Sequence, residues 1–209
     1  MRRMGIDEAG RGCVLGALYV GAFVTDTTDA ALIDAGARDS KQLSAAKRAR
    51  ALDRLAGLGQ LSWIAIPAAE IDGGNLNRLE EDAIVALALA ARPDTLHIDA
   101  LGHPRTLPGI TSRLEARLAD AGLHVSICME PKADSTYPVV GGASICAKVH
   151  RDRALALLEA EHGPLGSGYP SDPVTRAWIE AWVATGAPWP AFVRTRWETI
   201  RTAAQPPLL

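Results

Sequence analysis

Gly5-Ile6-Asp7-Glu8-Ala9-Gly10-Arg11-Gly12 combines a short apolar lead-in, two adjacent carboxylates and a glycine-rich loop. Side chains alternate across a strand, so Asp7 and Glu8 would point to opposite faces of a sheet if the strand continued regularly. Both can serve one site only where the strand ends or bends. Gly10 and Gly12 permit such a bend, because a residue without Cβ tolerates backbone angles and close contacts that others do not. The stretch therefore predicts a strand ending at a candidate site, with a solvated acidic loop as the alternative.

Residue periodicity predicts the elements that follow. Residues 14–24 predict a second strand, antiparallel to the first because the intervening turn is short. Ser44 predicts the N-cap of a helix that continues to about Leu55. The other predicted strands are residues 61–66, 96–99 and 124–129, and the other predicted helices are a short one around Glu70 and residues 76–91, 108–122, 140–162 and 173–185, with a break at Gly73-Gly74 and a loop at 132–134. This order predicts an α/β fold, a mixed five-stranded sheet flanked by helices, with a helical C-terminal portion.

Length and composition indicate one domain over residues 1–209. The chain has 209 residues, of which 48% are hydrophobic, so it can bury a substantial core. Its apolar runs are shorter than the roughly 18 residues of a membrane span. The acidic pair follows the first residues too closely to leave room for the apolar core of a signal peptide. We therefore expect a cytoplasmic protein that does not enter a membrane.

The cysteines are odd in number and show no CxxC spacing. This pattern favours neither a disulfide framework nor a zinc site. Cys13, Cys128 and Cys146 are therefore predicted to be buried free thiols, although Cys13 follows the glycine loop and could be partly exposed.

The formal net charge is −2, but basic residues are clustered. Residues 38–54 carry six Lys or Arg against two Asp. Such a run is usually a solvated helix face, and the alternative is a surface that faces phosphates. Two further basic clusters are Lys148 with Arg151 and Arg153, and Arg194 with Arg196 and Arg201. Local basic patches on a mildly acidic protein suit an enzyme that binds nucleic acid and releases it again.

Four carboxylates fall at or just after the ends of three predicted strands, where α/β sheets usually place ligand sites. They are Asp7, Glu8, Asp99 and Asp134. Their mutual repulsion calls for cations, and oxygen-only ligands select hard ions such as Mg²⁺ or Mn²⁺. Two such ions, roughly 4 Å apart, can activate a water on one side of a phosphodiester and stabilise the leaving oxygen on the other. The five histidines form no HExxH spacing and are predicted to be structural or surface groups.

Six blocks of sequence, in order, strongly resemble ribonuclease HII. They are Gly5 to Gly12, Asp39-Ser40-Lys41-Gln42-Leu43-Ser44, Asp99, Lys132-Ala133-Asp134-Ser135-Thr136-Tyr137-Pro138, Ala143-Ser144-Ile145-Cys146-Ala147-Lys148-Val149 with Arg151-Asp152-Arg153, and Gly166-Ser167-Gly168-Tyr169-Pro170-Ser171-Asp172-Pro173. They span nearly the whole chain. The forms of the fourth and sixth blocks resemble those of archaeal members.

The resemblance implies a ribonuclease H-like fold and a single catalytic domain whose helical subregion, about residues 163–209, contacts substrate. It implies endonucleolytic cleavage on the 5′ side of a ribonucleotide, in RNA/DNA hybrids and at single ribonucleotides in duplex DNA. The products would carry 3′-hydroxyl and 5′-phosphate ends. The four acids would bind two Mg²⁺ or Mn²⁺ ions and act as the catalytic residues. We further expect a monomer.

The resemblance also implies the substrate-binding residues. Backbone groups of Gly10, Arg11 and Gly12 would read the 2′-hydroxyl, the one group that distinguishes RNA from DNA. Tyr169 would stack on the neighbouring sugar at the RNA-to-DNA junction, with a loop aromatic that covers core as the alternative. The weaker candidates for phosphate contacts are Lys41, Ser135, Lys148 and Arg151. Lys148 and Arg151 could instead pair with Asp152 or lie near Asp134, and Ser135 and Ser144 could instead cap a helix.

Some features depart from the family pattern or permit other interpretations. Ala100 follows Asp99, whereas family members often have glycine at this position. Archaeal forms tolerate the difference. Residues 203–209 lack the paired aromatics with which many archaeal members dock on the sliding clamp, so clamp binding is not supported. One rival is a nucleotide-cofactor enzyme, because the glycine loop faintly resembles a dinucleotide loop, but a strand-like run rather than a helix follows it. The other rival is a hybrid-binding module without catalysis, against which the four intact acids argue.

Overall fold

The computed structural model describes residues 1–37 and 43–203. Within them lies one mixed sheet, which confirms the predicted α/β class. Its strands are β1 (Arg3–Ala9), β2 (Leu18–Thr25), β3 (Gln60–Ile66), β4 (Thr95–Asp99) and β5 (Ser126–Glu130), in the spatial order β3-β2-β1-β4-β5. β1 pairs antiparallel with β2 and parallel with β4. The antiparallel start therefore agrees with the prediction, and the carboxyl ends of β1, β4 and β5 meet at one edge of the sheet.

Helices cover both faces of this sheet. They are α1 (Asp29–Ala35), α2 (Ala45–Ala56), α3 (Ala68–Gly73), α4 (Leu76–Ala91), α5 (Leu107–Asp120), α6 (Ala133–Thr136), α7 (Pro138–His162), α8 (Pro173–Thr185) and α9 (Glu198–Ala203). The hydroxyl of Ser44 accepts a hydrogen bond from the Lys47 amide, so the predicted N-cap is confirmed. The predicted break at Gly73-Gly74 is also present, between α3 and α4.

The alternation of β1 and β2 assigns their side chains to two separate cores. Met4 and Ile6 face α4 and α5, where they pack with Ile84 and Leu114. Phe23, on the opposite face of β2, packs with residues of α1, α2 and α7. A third apolar cluster joins Leu15 to α8 and α9. The C-terminal helices are thus attached to the segment that follows the glycine loop.

Helix α7 crosses β1 and β2 at very short range. A Cβ placed on Gly5 would lie 2.2 Å from the carbonyl oxygen of Val139, and one on Gly21 would lie 2.6 Å from that of Ala143. Only glycine fits at such a backbone approach. The small residues of this helix therefore pack closely against the sheet, and the contact sets Ser144 beside the end of β1.

Several predictions about local structure were wrong. β2 starts at Leu18 rather than at residue 14, because the amide of Val14 donates to the Gly168 carbonyl and that of Gly16 to the Phe192 carbonyl. Helix α1 was not predicted; it is capped by Thr28, whose hydroxyl accepts from the Ala31 amide. The predicted loop at 132–134 contains the start of α6, a single helical turn.

The cysteines partly follow the prediction. All three are free thiols. Cys13 and Cys146 are buried, so the alternative of a partly exposed Cys13 was wrong, while Cys128 is half-buried rather than buried. No helix in the part of the chain that the structure describes is long and apolar enough to cross a membrane.

Candidate active site

The four predicted acids lie around one edge of the sheet. Asp7 and Glu8 are in the last part of β1, and Asp99 ends β4, its parallel neighbour. The Ala133 amide donates to Asp99 Oδ1 at 2.9 Å, which fixes α6, and with it Asp134, against the end of β4. Asp7, Glu8 and Asp99 line one cleft of about 440 Å³. The end of the strand thus lets both members of the acidic pair reach one site, as its sequence predicts.

The negative charges in this cleft oppose one another. Burial raises the pKa of Asp7 to about 7; a hydrogen bond with Ser144 lowers it, and the charges of Asp99 and Asp134 add to the rise. Burial, together with the charges of Asp7 and Glu80, raises the pKa of Glu8 well above its ordinary value. Glu8 Oε2 is buried and, within the described residues, has no hydrogen-bond partner. A cation would relieve both the repulsion and this unpaired oxygen.

The acids do not form a complete cage for one ion. Among residues 1–37 and 43–203, no three His, Cys, Asp or Glu side chains are arranged to hold a metal ion together. Magnesium is usually held by only one or two carboxylates, together with waters and substrate phosphates. The donor set therefore fits a hard divalent cation whose remaining ligands come from water and substrate.

The glycine loop borders the cleft with free backbone donors. Gly10 has φ +90°, and a Cβ there would lie 3.1 Å from the Ala17 carbonyl oxygen, so a side chain would be strained. The Arg11 side chain turns away to α4, where its Nε donates to both carboxylate oxygens of Glu80 at 2.8 and 3.0 Å. The backbone amides of Arg11 and Gly12 donate to no group in the described part of the chain. The loop therefore offers two adjacent N–H groups to a ligand.

Tyr169 lies next to this loop, on a turn that is stabilised by its own hydrogen bonds. The amide of Gly168 donates to the Thr175 hydroxyl at 3.0 Å, and the Ser167 amide donates to Asp172 at 2.7 Å. A Cβ on Gly12 would lie 3.3 Å from the Tyr169 ring, so the ring packs on the loop. Tyr169 is 39% exposed, so part of its side chain is accessible to a ligand.

The predicted cationic contacts have different surroundings. Lys148 lines the cleft and donates to Asp152 at 2.6 Å, the pairing that the sequence left open. Arg151 is only 4% exposed; its guanidinium contacts Cys13 Sγ and the Ser167 carbonyl and lies 5.7 Å from the centre of the Tyr169 ring. Phosphate binding by either residue remains a prediction. Lys41 lies outside the described residues.

The predicted serines are not helix caps. Ser135 lies within α6, exposed, and its hydroxyl contacts Asp134 at 3.4 Å. Ser144 is buried in the interior of α7 and bonds to Asp7. The alternative of N-terminal capping was therefore wrong for both, and Ser144 instead positions a candidate catalytic acid.

Two charged residues of the site were not predicted. Glu80 is fully buried beside Glu8 and holds Arg11. Its position among the apolar residues of α4, on the face that carries Ile84 and Leu87, was an available signal. Arg194 is also fully buried, against the carbonyls of the glycine loop. In the sequence, Arg194 is one member of a basic cluster, and no neighbouring residue indicates that it is buried.

The chain is similar to known proteins over almost its whole length. The family model for "Ribonuclease HII" matches residues 4–200. Ribonuclease HII of Pyrococcus abyssi is 39% identical over 209 residues, covering 96% of this chain and 90% of that protein. The crystal structure of ribonuclease H2 from Pyrococcus horikoshii superposes with a TM-score of 0.88 at 35% identity, covering 98% and 97% of the two chains. Ribonuclease HII of Archaeoglobus fulgidus, solved as a complex with PCNA, gives 0.87 at 31% identity, covering 99% and 98%. The chain therefore belongs to the ribonuclease HII family and is a metal-dependent endoribonuclease.

Proposed function

We propose that this enzyme hydrolyses the phosphodiester on the 5′ side of a ribonucleotide, in RNA/DNA hybrids and at single ribonucleotides embedded in duplex DNA. The observation that carries the proposal is the position of the free amides of Arg11 and Gly12 beside buried Asp7 and half-buried Glu8. A backbone donor can recognise the ribose 2′-hydroxyl, which DNA lacks. The amides that recognise the ribose and the carboxylates that take part in the reaction would thus act at the same phosphate. Cleavage would leave 3′-hydroxyl and 5′-phosphate ends.

Asp7, Glu8, Asp99 and Asp134 are the residues that would hold Mg²⁺ or Mn²⁺. Bound divalent ions supply an activated water and stabilise charge on the leaving oxygen, and two ions can divide these tasks. Ser144 fixes the orientation of Asp7, and the Ala133 amide fixes that of Asp99. Burial of Asp7 keeps bulk water from its carboxylate, which strengthens its interaction with any cation.

The remaining residues would bind the duplex. Lys148 faces the cleft and would contact a backbone phosphate, exchanging its bond to Asp152 for one to the substrate. Arg151 would hold the Tyr169 ring in place. Its positive charge would also interact with the negative charge of the substrate. Lys41 and Ser135 stay predicted phosphate contacts, and the helical subregion from about residue 163 would contribute Tyr169.

The test is cleavage of a labelled duplex that holds one ribonucleotide, with Mg²⁺ and Mn²⁺ in parallel. We expect a single cut on the 5′ side of the ribonucleotide and none in an all-DNA duplex of the same sequence. Product ends are assigned by ligation and phosphatase treatment. Equal cutting of the all-DNA duplex, or tight hybrid binding without any cut, would contradict the proposal; the second result would favour a hybrid-binding module.

Tyr169→Ala is expected to weaken cleavage at a single ribonucleotide by about 5- to 150-fold, because a stacked aromatic contributes roughly 1–3 kcal/mol. The loss should be smaller within a long RNA stretch, where the ring does not meet a DNA sugar at every cut. Tyr169→Phe keeps the ring and is the matched control, with activity near that of the wild type. Rates on both substrates decide: equal losses would remove the junction-sensing role.

We further propose that the enzyme acts as a cytoplasmic monomer on these duplexes. The Archaeoglobus fulgidus relative was solved with PCNA, so a sliding clamp is a partner to test for this chain as well. The prediction that a clamp-binding tail is missing concerned residues 203–209, of which 204–209 lie outside the described residues.

A further inference from the structure

Arg194 is a fully buried arginine with an unusual set of partners. Its side chain is 0% exposed, and within the described residues no carboxylate lies within ion-pair distance of it. Burial lowers the pKa of its guanidinium to about 10. A buried charge without an ion pair is costly unless strong hydrogen bonds satisfy it. The partners of this guanidinium therefore show what the arginine stabilises.

Those partners are carbonyl groups of the glycine loop and its continuation. Arg194 Nη2 donates to the Gly10 carbonyl at 2.7 Å, Nη1 to the Arg11 carbonyl at 2.9 Å, and Nε to the Gly16 carbonyl at 3.1 Å. One guanidinium thus bonds both to the glycine loop and to the segment that follows it. Because the guanidinium is planar and rigid, it fixes the relative orientation of the carbonyls that it binds.

Fixing these carbonyls also fixes the free amides. The Gly10 carbonyl and the Arg11 N–H belong to one peptide group, and the Arg11 carbonyl and the Gly12 N–H belong to the next. None of the described peptide bonds is cis, and in a trans peptide the C=O and N–H bonds point in opposite directions. The two N–H groups therefore point away from Arg194, which does not line the cleft, while Gly10 and Arg11 do. A charged donor on each carbonyl also polarises the peptide and strengthens its N–H as a donor.

The arginine itself is held in place. The backbone amide of Arg194 donates to the Val14 carbonyl at 2.9 Å, and its guanidinium lies 5.3 Å from the centre of the Trp197 ring. Asp72 accepts hydrogen bonds from the amides of Thr195 and Arg196 at 2.6 and 3.3 Å, which ties this segment to α3. The loop is therefore braced against a fixed point rather than against a mobile side chain.

We propose that Arg194 is a positioning residue for the reaction: it aims the Arg11 and Gly12 amides at the ribose and thereby aligns the adjacent phosphate with the carboxylates. This inference rests on the proposed function. Most of the affinity for a duplex comes from phosphate contacts elsewhere, so misaligned amides should lower kcat and leave KM nearly unchanged.

The decisive variant is Arg194→Lys, which keeps a positive charge but loses the fork. Cleavage of the single-ribonucleotide duplex is measured at least 20 °C below the unfolding midpoint of each variant. We expect kcat to fall by about tenfold or more, with KM changed by less than about threefold. Arg194→Ala should fall further and recover in part with added methylguanidinium. Exposed Arg2→Ala, at the opposite end of β1 from the acidic pair, is the matched control and should match the wild type.

The outcomes separate the two proposals. If the wild type does not cut the duplex, the proposed function fails and the role of Arg194 fails with it. If the wild type cuts and folded Arg194→Lys cuts with the same kcat, only the positioning role is wrong, and a lowered unfolding midpoint would then mark Arg194 as a structural brace. If Arg194→Ala does not fold, Arg194→Lys alone decides between these results.

Discussion

Asp7→Asn is expected to reduce cleavage more than about a thousandfold while leaving hybrid binding largely intact. Charge stabilisation by bound metal contributes several kcal/mol to such reactions, and a loss of about 4 kcal/mol corresponds to a factor of about a thousand. Asp7 is 6% exposed, and its neighbours Asp99 and Asp134 add negative charge that only a cation offsets. Asparagine keeps the size and a hydrogen-bond acceptor for Ser144 but removes the charge. Single-turnover rates and gel-shift affinities measure the two properties separately.

Exposed Asp120→Asn is the matched control, since it removes one carboxylate at the end of α5 that does not line the cleft, and it should change neither property. Thermal unfolding adds a second readout. Divalent metal at about 100 times its Kd stabilises a folded protein by about 2.7 kcal/mol; we expect such a rise for the wild type and a much smaller one for Asp7→Asn. Equal losses of cleavage and binding would instead show that Asp7 maintains the fold.

Gly5→Ala is expected to destabilise the protein by about 3 kcal/mol, at the upper end of the cost of overpacking. The added Cβ would lie 2.2 Å from the Val139 carbonyl oxygen and 2.4 Å from its carbon. These are backbone atoms of α7, so no side chain can rotate away and the helix must move from the sheet. For a domain of this size, the unfolding midpoint should fall by about 6–12 °C. Calorimetry or circular dichroism measures it.

Gly73→Ala is the matched control for this substitution. Gly73 ends α3, and no described atom lies within 4 Å of the position its Cβ would take. Alanine at such a position should be neutral or stabilise the protein by about 0.4–1 kcal/mol, through the smaller entropy of the unfolded chain. Similar losses for the two variants would show that glycine matters for backbone freedom rather than for the approach of α7.

The sequence was informative where local patterns determine the structure. Asp7 and Asp99 lie at or near the ends of strand patterns, so the sequence alone placed both at a candidate ligand site of the sheet. Ser44 has the chemistry of an N-cap, which operates within three residues. The close approach of α7 to Gly5 and Gly21, by contrast, became evident only in the structure.

The sequence was uninformative where contacts between distant residues determine the local structure. Arg194 has two basic neighbours in its cluster, Arg196 and Arg201, yet its own guanidinium bonds to carbonyls 178 to 184 residues away. Residues 14–16 have strand-forming side chains but bond to the Gly168 turn and the Phe192 segment, which shortens β2. The free amides of the glycine loop depend on these same contacts. The acids could thus be predicted individually, whereas the orientation of the groups beside them could not.

The most direct test of the central claim, that the converging carboxylates bind catalytic metal beside the glycine loop, is the anomalous scattering of Mn²⁺ in crystals grown with a ribonucleotide-containing duplex. We predict anomalous peaks in contact with Asp7 and with at least one of Glu8, Asp99 and Asp134, and the ribose 2′-hydroxyl within hydrogen-bond distance of the Arg11 or Gly12 amide. Manganese bound elsewhere, with these carboxylates uncoordinated while the duplex occupies the cleft, would contradict the claim.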